Sequence, residues 1–164
     1  METKTFIATT ETGKAVYMCS DTYEHMMAHP DVRIEDVKEA VERSDYVGPF
    51  KMASVNLGRT VGKDGCIRVP EGMTPHMLFR KGRDGKTPVF FEGEAEAADT
   101  SLVTIGICTD DDGLETVFTA FYGQLAPKEP WDPRLKEQER KESEEFWRSH
   151  ALVVSQDSID LDRS

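Results

Sequence analysis

Apolar positions change their period along this chain, and each change marks an element. Thr5-Phe-Ile-Ala-Thr-Thr10 is β-branched and aromatic, Glu11-Thr-Gly-Lys14 has turn chemistry, and Ala15-Val-Tyr-Met-Cys19 alternates again, which predicts a β-hairpin. Ser20 and Asp21 are N-cap residues for a short helix over Thr22–Ala28, and Pro30 stops it. Ile34, Val37, Ala40 and Val41 recur at helical spacing and predict a second helix over Ile34–Glu42 with one apolar face.

The middle of the chain reads as β structure. Tyr46-Val47, Phe50–Val55, Cys66–Val69, Met77–Arg80 and Val89–Phe91 are extended runs, the last two flanking the turn Gly82-Arg-Asp-Gly85. Leu102–Cys108 is the most apolar segment. It faces Thr116–Tyr122 across the acidic turn Asp110-Asp-Asp-Gly113, which predicts a hairpin at the centre of an antiparallel sheet. Beyond Gly123 the pattern breaks at Pro127, Pro130 and Pro133. Asp132-Pro133 then reads as an N-cap and first helical residue for a charged helix over Arg134–Arg148. Pairs such as Glu137 with Lys141 and Glu144 with Arg148 support that helix, and the apolar end around Phe146, Trp147, Ala151 and Leu152 is expected to dock on the sheet. The polar tail from Ser155 is expected to fray.

Helices and strands are segregated, so the fold class is α+β. An N-terminal hairpin and two helices pack on an antiparallel sheet, with a charged C-terminal helix. The organisation is one domain over residues 1–125, a Pro-rich linker with its docked helix over 126–154, and a disordered tail over 155–164.

Composition narrows the class. The 164 residues include 31 acidic and 20 basic ones, for a net charge of −11. No apolar run approaches the roughly 20 residues that cross a bilayer. Nor does the start carry the apolar core of a secretory signal. Three widely spaced cysteines, Cys19, Cys66 and Cys108, make no disulfide framework and fit reduced thiols in the cytoplasm. The charge is uneven. Between Lys51 and Lys86 eight basic residues (Lys51, Arg59, Lys63, Arg68, Arg80, Lys81, Arg83 and Lys86) stand against only Asp64, Glu71 and Asp84. That stretch is a candidate anion-binding surface acting locally within a repelling chain, because salt screens charge over about 10 Å. Its alternative is a set of solvated hairpin charges.

Candidate chemistry is sparse. His25 and His29 lie four apart on one helix face, a spacing that holds zinc only with a third ligand from elsewhere, such as His150. The glutamate that a metalloprotease helix needs beside the first histidine is missing, and no metal or cofactor is assigned. His29 fits a helix end, which leaves His25 as the acid–base candidate. Thr119 and Tyr122 sit at a strand end beside Gly123, where a hydroxyl can position a phosphate or simply serve the sheet. Trp147 is either a stacking platform or the anchor of its helix.

The segment Asp21-Thr-Tyr-Glu-His-Met-Met-Ala-His-Pro-Asp-Val32, followed by a second helix, resembles the opening of small bacterial and phage nucleases. These form the barnase–EndoU–colicin–RelE group of metal-independent, toxin-type RNases. Thr119-Ala-Phe-Tyr122 is similar to that group's closing strand. The resemblance implies two helices on an antiparallel sheet and attack of a ribose 2′-hydroxyl on the adjacent phosphorus. His25 would be acid or base, Thr119 would position phosphate, Arg59 or Arg80 would supply the cation, and His150 would join them. RNA would lie along Lys51, Lys63, Arg68, Lys81, Arg83, Lys86 and Tyr122. The alternative is a non-catalytic phage or mobile-element accessory protein with a protein partner. It predicts dispersed histidines and an exposed apolar patch around Phe146 and Trp147.

Overall fold

The computed structural model describes residues 3–28, 32–44 and 50–160. The expected strand at Tyr46-Val47, and His29 with Pro30 and Asp31, lie outside the described residues. In chain order the elements begin with β1 (Lys4–Thr9), β2 (Ala15–Cys19), α1 (Ser20–Ala28), α2 (Ile34–Glu42) and β3 (Phe50–Asn56). Next come β4 (Gly62–Asp64), β5 (Cys66–Arg68), β6 (His76–Phe79), β7 (Lys86–Phe91) and β8 (Ala98–Thr100). The chain closes with β9 (Leu102–Thr109), β10 (Glu115–Tyr122), α3 (Glu137–Ser149) and β11 (His150–Val154). The fold is α+β with mainly antiparallel sheets, as the apolar periodicity predicts.

Two compact units share the chain: Met1–Lys63 with Asp99–Leu125, and Asp64–Ala98 with Ala126–Ser164. The expected boundary at residue 125 is one seam between them. The segment Asp64–Ala98, however, belongs with the C-terminal part and not with the 63 residues before it.

In the first unit the sheet order is β1-β2-β10-β9-β3. The β9–β10 hairpin is central, and Ile105 stands opposite Ala120 and Val103 opposite Tyr122. All neighbours are antiparallel except β2 and β10, which run parallel. The apolar stripe of α2 (Ile34, Val37, Ala40, Val41) is buried in one core with Ile7, Val16, Met18, Val103, Ile105, Ile107 and Val117. That burial is what holds a nine-residue helix, too short to persist alone.

The second unit has the sheet order β5-β11-β7-β6. β11 runs antiparallel to β5 and parallel to β7, so the last strand of the chain sits between two strands laid down some 60 to 85 residues earlier. Ile67, Phe90 and Ala151 are the centre of its core. Two expectations are corrected here. The third helix begins at Glu137, because Asp132 is already engaged: its Oδ1 accepts the Arg134 backbone N–H at 2.9 Å, and its carboxylate takes the Arg134 guanidinium at 3.0 and 2.7 Å. Instead, the Glu139 carboxylate accepts the Lys136 backbone N–H at 3.0 Å and caps the helix. The segment His150-Ala-Leu-Val-Val154 is a strand and not the end of that helix. Its β-branched residues fit between β5 and β7. The expected free tail is also held in part: Ile159 is buried, the Asp160 N–H bonds the Phe79 carbonyl at 2.9 Å, and the Lys81 N–H bonds the Ser158 carbonyl at 2.9 Å. Of the two expected helix pairs, Glu137 and Lys141 stand 3.9 Å apart, whereas Glu144 and Arg148 make no ion pair.

One glycine is fixed by a ring. A Cβ built on Gly62 would lie 2.3 Å from Cδ2 and 2.8 Å from Cε2 of Tyr122, whose ring lies against that backbone. Gly62→Ala is therefore expected to lower unfolding stability by about 1–3 kcal/mol through overpacking. Gly65→Ala, where the nearest atom is the Val153 carbonyl oxygen at 3.7 Å, should be close to neutral. Urea denaturation of the two variants is the comparison, and equal midpoints would contradict the packing account.

Candidate functional site

The first unit contains a buried carboxylate. Asp36 lies on α2 beside the apolar stripe and is 4% exposed. It is compensated from three sides. Arg59 Nη2 donates to Oδ1 at 2.7 Å, the Tyr122 hydroxyl donates to Oδ2 at 2.5 Å, and Arg33 Nε stands 3.8 Å away. Arg59 Nη1 also donates to both Glu39 oxygens, at 3.0 and 3.1 Å, and these bonds raise the guanidinium above its ordinary value. The Tyr122 oxygen accepts the Arg33 backbone N–H at 3.1 Å. A carboxylate out of water needs such partners, and here they tie α2, the loop before β4 and the end of β10 together.

That knot decides the part played by two predicted site residues. Arg59 is the cation expected to meet a phosphate, yet its guanidinium already holds two carboxylates. Tyr122, expected on a nucleic-acid surface, uses its hydroxyl on Asp36 and its ring on Gly62. Thr119 follows a β-bulge and pairs with Gly106. Its methyl is one of the three groups, with Phe118 and Met52, that a Cβ on Gly106 would meet. His25 is exposed in the last turn of α1, a helix that buries none of its residues.

Arg80 and His150 belong to the second unit. Arg80 Nη1 stands 3.5 Å from Glu129 Oε1, and burial, followed by the neighbouring Arg83, lowers the guanidinium. His150 stacks on Phe146 at 3.9 Å with its plane tilted by only 5°. Its Nδ1 lies 2.9 Å from the Phe146 carbonyl oxygen, an ordinary helix-end role. The predicted basic stretch divides as well. Lys51 and Lys63 fall in the first unit, where Lys63 pairs with Asp99 at 2.5 Å, and Arg68, Lys81, Arg83 and Lys86 fall in the second. His76 bonds the Glu94 carboxylate at 2.9 Å. Burial, and then nearby Asp64, pushes the Cys66 thiol up to about 12, which makes it a poor nucleophile. Among the described residues no group of three His, Cys, Asp or Glu side chains is placed to hold a metal.

The second unit also carries a groove of about 360 Å³ that periodicity alone does not reveal. Met77 of β6 and its register partner Pro88 of β7 line it with Lys86, from α3 come Glu144, Trp147 and Arg148, and Pro130 and Trp131 complete it. Both tryptophans of the chain are therefore in one place. The helix contributes positions i, i+3 and i+4, which share a face. Trp147 is the anchor of α3 as well: it is buried, and its Nε1 donates to the Pro127 carbonyl at 3.2 Å. The Trp131 ring lies on Gly85, where an added Cβ would be 2.3 Å from it. Its Nε1 is buried without an acceptor. Met77 is 52% exposed. Lys86 and Arg148 pair with no carboxylate among the described residues, and the Lys86 ammonium stands 5.8 Å from the centre of the Phe79 ring. Sequence reasoning singled out Trp147. It missed Trp131, Pro88 and Met77, whose only sign is a second tryptophan just ahead of the helix that carries Trp147.

Comparison with protein-family models, with curated proteins and with solved structures finds no match.

Tyr122→Phe tests the buried knot. Loss of a hydrogen bond to a charged, buried acceptor is expected to cost about 1.5–3 kcal/mol at neutral pH. Burial, and then Asp36, raises the Tyr122 phenol above its ordinary value of 10.0, so it holds its proton more tightly folded than unfolded. That contribution is complete below about pH 10 and is lost as the pH climbs through the folded value. Urea midpoints from about pH 9 to pH 11 should fall more steeply for wild type than for the variant. Parallel slopes would show that the phenol is not coupled to folding.

Proposed function

We propose that this chain is a non-catalytic interaction protein that binds a protein partner through the groove of its second unit. The observation that carries this reading is a groove in which Met77, Pro130 and Trp131 are accessible over the buried Pro88 and Trp147. A rigid aromatic and proline surface loses little side-chain entropy on binding and supplies large contact area. Exposed apolar area of this kind weakens solubility unless a partner uses it.

His76 bonds Glu94 and His150 stacks on Phe146, so both of these imidazoles are engaged. Cleavage by a 2′-hydroxyl needs an open cation for the developing charge on phosphate, and Arg59 already holds two carboxylates. We assign the protein to the cytoplasm. Cys66 and Cys108 are free thiols, which suits a reducing compartment. No helix of the described residues is long and apolar enough to cross a membrane.

The reading makes a paired prediction. Bulk cellular RNA incubated with the purified chain stays intact, and production in bacteria does not arrest growth. A photo-crosslinking amino acid placed at Met77 in the protein's own cells yields a discrete adduct, whereas the same group at the exposed Glu42 of α2 yields none. RNA cleavage abolished by His25→Ala would overturn the proposal and restore the nuclease reading.

A further inference from the structure

We infer that the groove takes an extended, proline-bearing segment of a partner protein with acidic residues beside the proline, a conclusion that rests on the groove being the binding face. Three observations lead there.

The first is what the walls offer. Trp131 and Pro130 present partly exposed, rigid faces over the buried Trp147 and Pro88, and flat surfaces of this kind grip the ridges of a polyproline II helix. The second is which backbone chemistry the site can meet. Strand addition would need the outer edge of β6. The end of that edge is already taken, because the Phe79 carbonyl accepts the Asp160 N–H and, just past the strand, the Lys81 N–H bonds Ser158. A polyproline II segment needs no such edge, and its carbonyls are free because it has no internal hydrogen bonds. Trp131 Nε1 is a donor without an acceptor in the groove wall. A small tilt of the ring off Gly85 would turn that donor toward a ligand carbonyl and relieve an unpaired buried group.

The third is charge. The chain carries −11 overall, and several of its described cations are matched: Arg59 with Asp36 and Glu39, Lys63 with Asp99, Arg43 with Glu39, Arg134 with Asp132. Lys86 and Arg148, like Lys38, Arg68, Lys81 and Lys128, make no ion pair among the described residues, and these two line the groove, where Glu144 is the single opposing charge. Two unmatched cations around an apolar surface complement a ligand that is apolar in the middle and anionic at its flanks. Screening confines the repulsion of the distant acidic residues to about 10 Å at ordinary salt, so the rim acts on its own.

The test follows the two indole Nε1 signals by NMR during titration of the full chain. The probes are a blocked Glu-Glu-Pro-Pro-Pro-Glu peptide, its lysine-for-glutamate counterpart, its alanine-for-proline counterpart and oligouridylate. The acidic proline peptide is expected to shift both signals, and the alanine counterpart to shift neither. Lys86→Glu and Arg148→Glu, both at exposed positions, should each weaken it about fivefold. Together they should turn the preference toward the lysine peptide. Met77→Glu should weaken every peptide, and it avoids the folding risk of removing a tryptophan. Equal binding of the acidic and lysine peptides, or shifts from oligouridylate alone, would overturn the inference. Silence of the indoles toward every peptide, with the Met77 adduct still formed, would sink the ligand class while leaving the interaction reading in place. Loss of the adduct as well would remove both.

Discussion

The second unit depends on the insertion of β11 between β5 and β7. Without that strand, β5 has no partner in its sheet and the β6–β7 hairpin is a two-stranded piece, marginal in water. The strand also fixes the helix before it, because α3 ends at Ser149 and β11 begins at His150 with no intervening loop. Pairing of His150 with Arg68 and of Leu152 with Val89 therefore sets where the last turns of α3 lie. Trp147 and Arg148 reach the groove for that reason, three and two residues ahead of the strand. Long-range pairing carries a loop-closure cost that local contacts do not, so closing this sheet waits on β11.

The first unit solves a different problem. A helix of nine residues buries an aspartate in its own core face, and the penalty for an unpaired buried charge exceeds what the neighbouring valines return. The solution is geometric. Asp36 receives a guanidinium on one oxygen and a phenol on the other, and Arg59 is fixed in turn by Glu39, one helical turn along α2. The same phenol ring closes over Gly62, where no side chain could stand. Charge pairing and ring packing thus hold the end of β10 against α2. They use Arg59 and Tyr122, two of the residues expected at a phosphate site.

How far the sequence speaks follows from the range of each interaction. The α2 stripe, the β9–β10 hairpin and the α+β class are local patterns, and periodicity reads them within a residue or two. The start of α3 was misplaced because Asp132 has two uses, cap or arginine partner, and only packing chooses between them. β11 was missed since His150-Ala-Leu-Val-Val154 is as compatible with a helix end as with a strand until β5 and β7 are placed beside it. Asp36 reads as a polar position on an amphipathic helix, and nothing nearby announces Arg59 and Tyr122, 23 and 86 residues away. Trp147 was legible as an anchor or a platform, and it serves as anchor. The groove around it was not, because Met77 and Pro88 reach it from strands far upstream.

The two units differ in the polar groups they leave unsatisfied. Around Asp36 the charges are matched and the donors are used. In the second unit, Arg80 Nε and Trp131 Nε1 are buried without acceptors, and the groove cations Lys86 and Arg148 pair with no carboxylate among the described residues. A buried donor without an acceptor costs about 1–3 kcal/mol, a large fraction of the stability of a small unit. Met77 is 52% exposed at the groove. A fold under selection for stability alone has easy remedies for each of these, such as a serine near the indole or a glutamate near Arg148. Their joint absence at one surface is what a ligand supplying carbonyls, carboxylates and apolar area would explain.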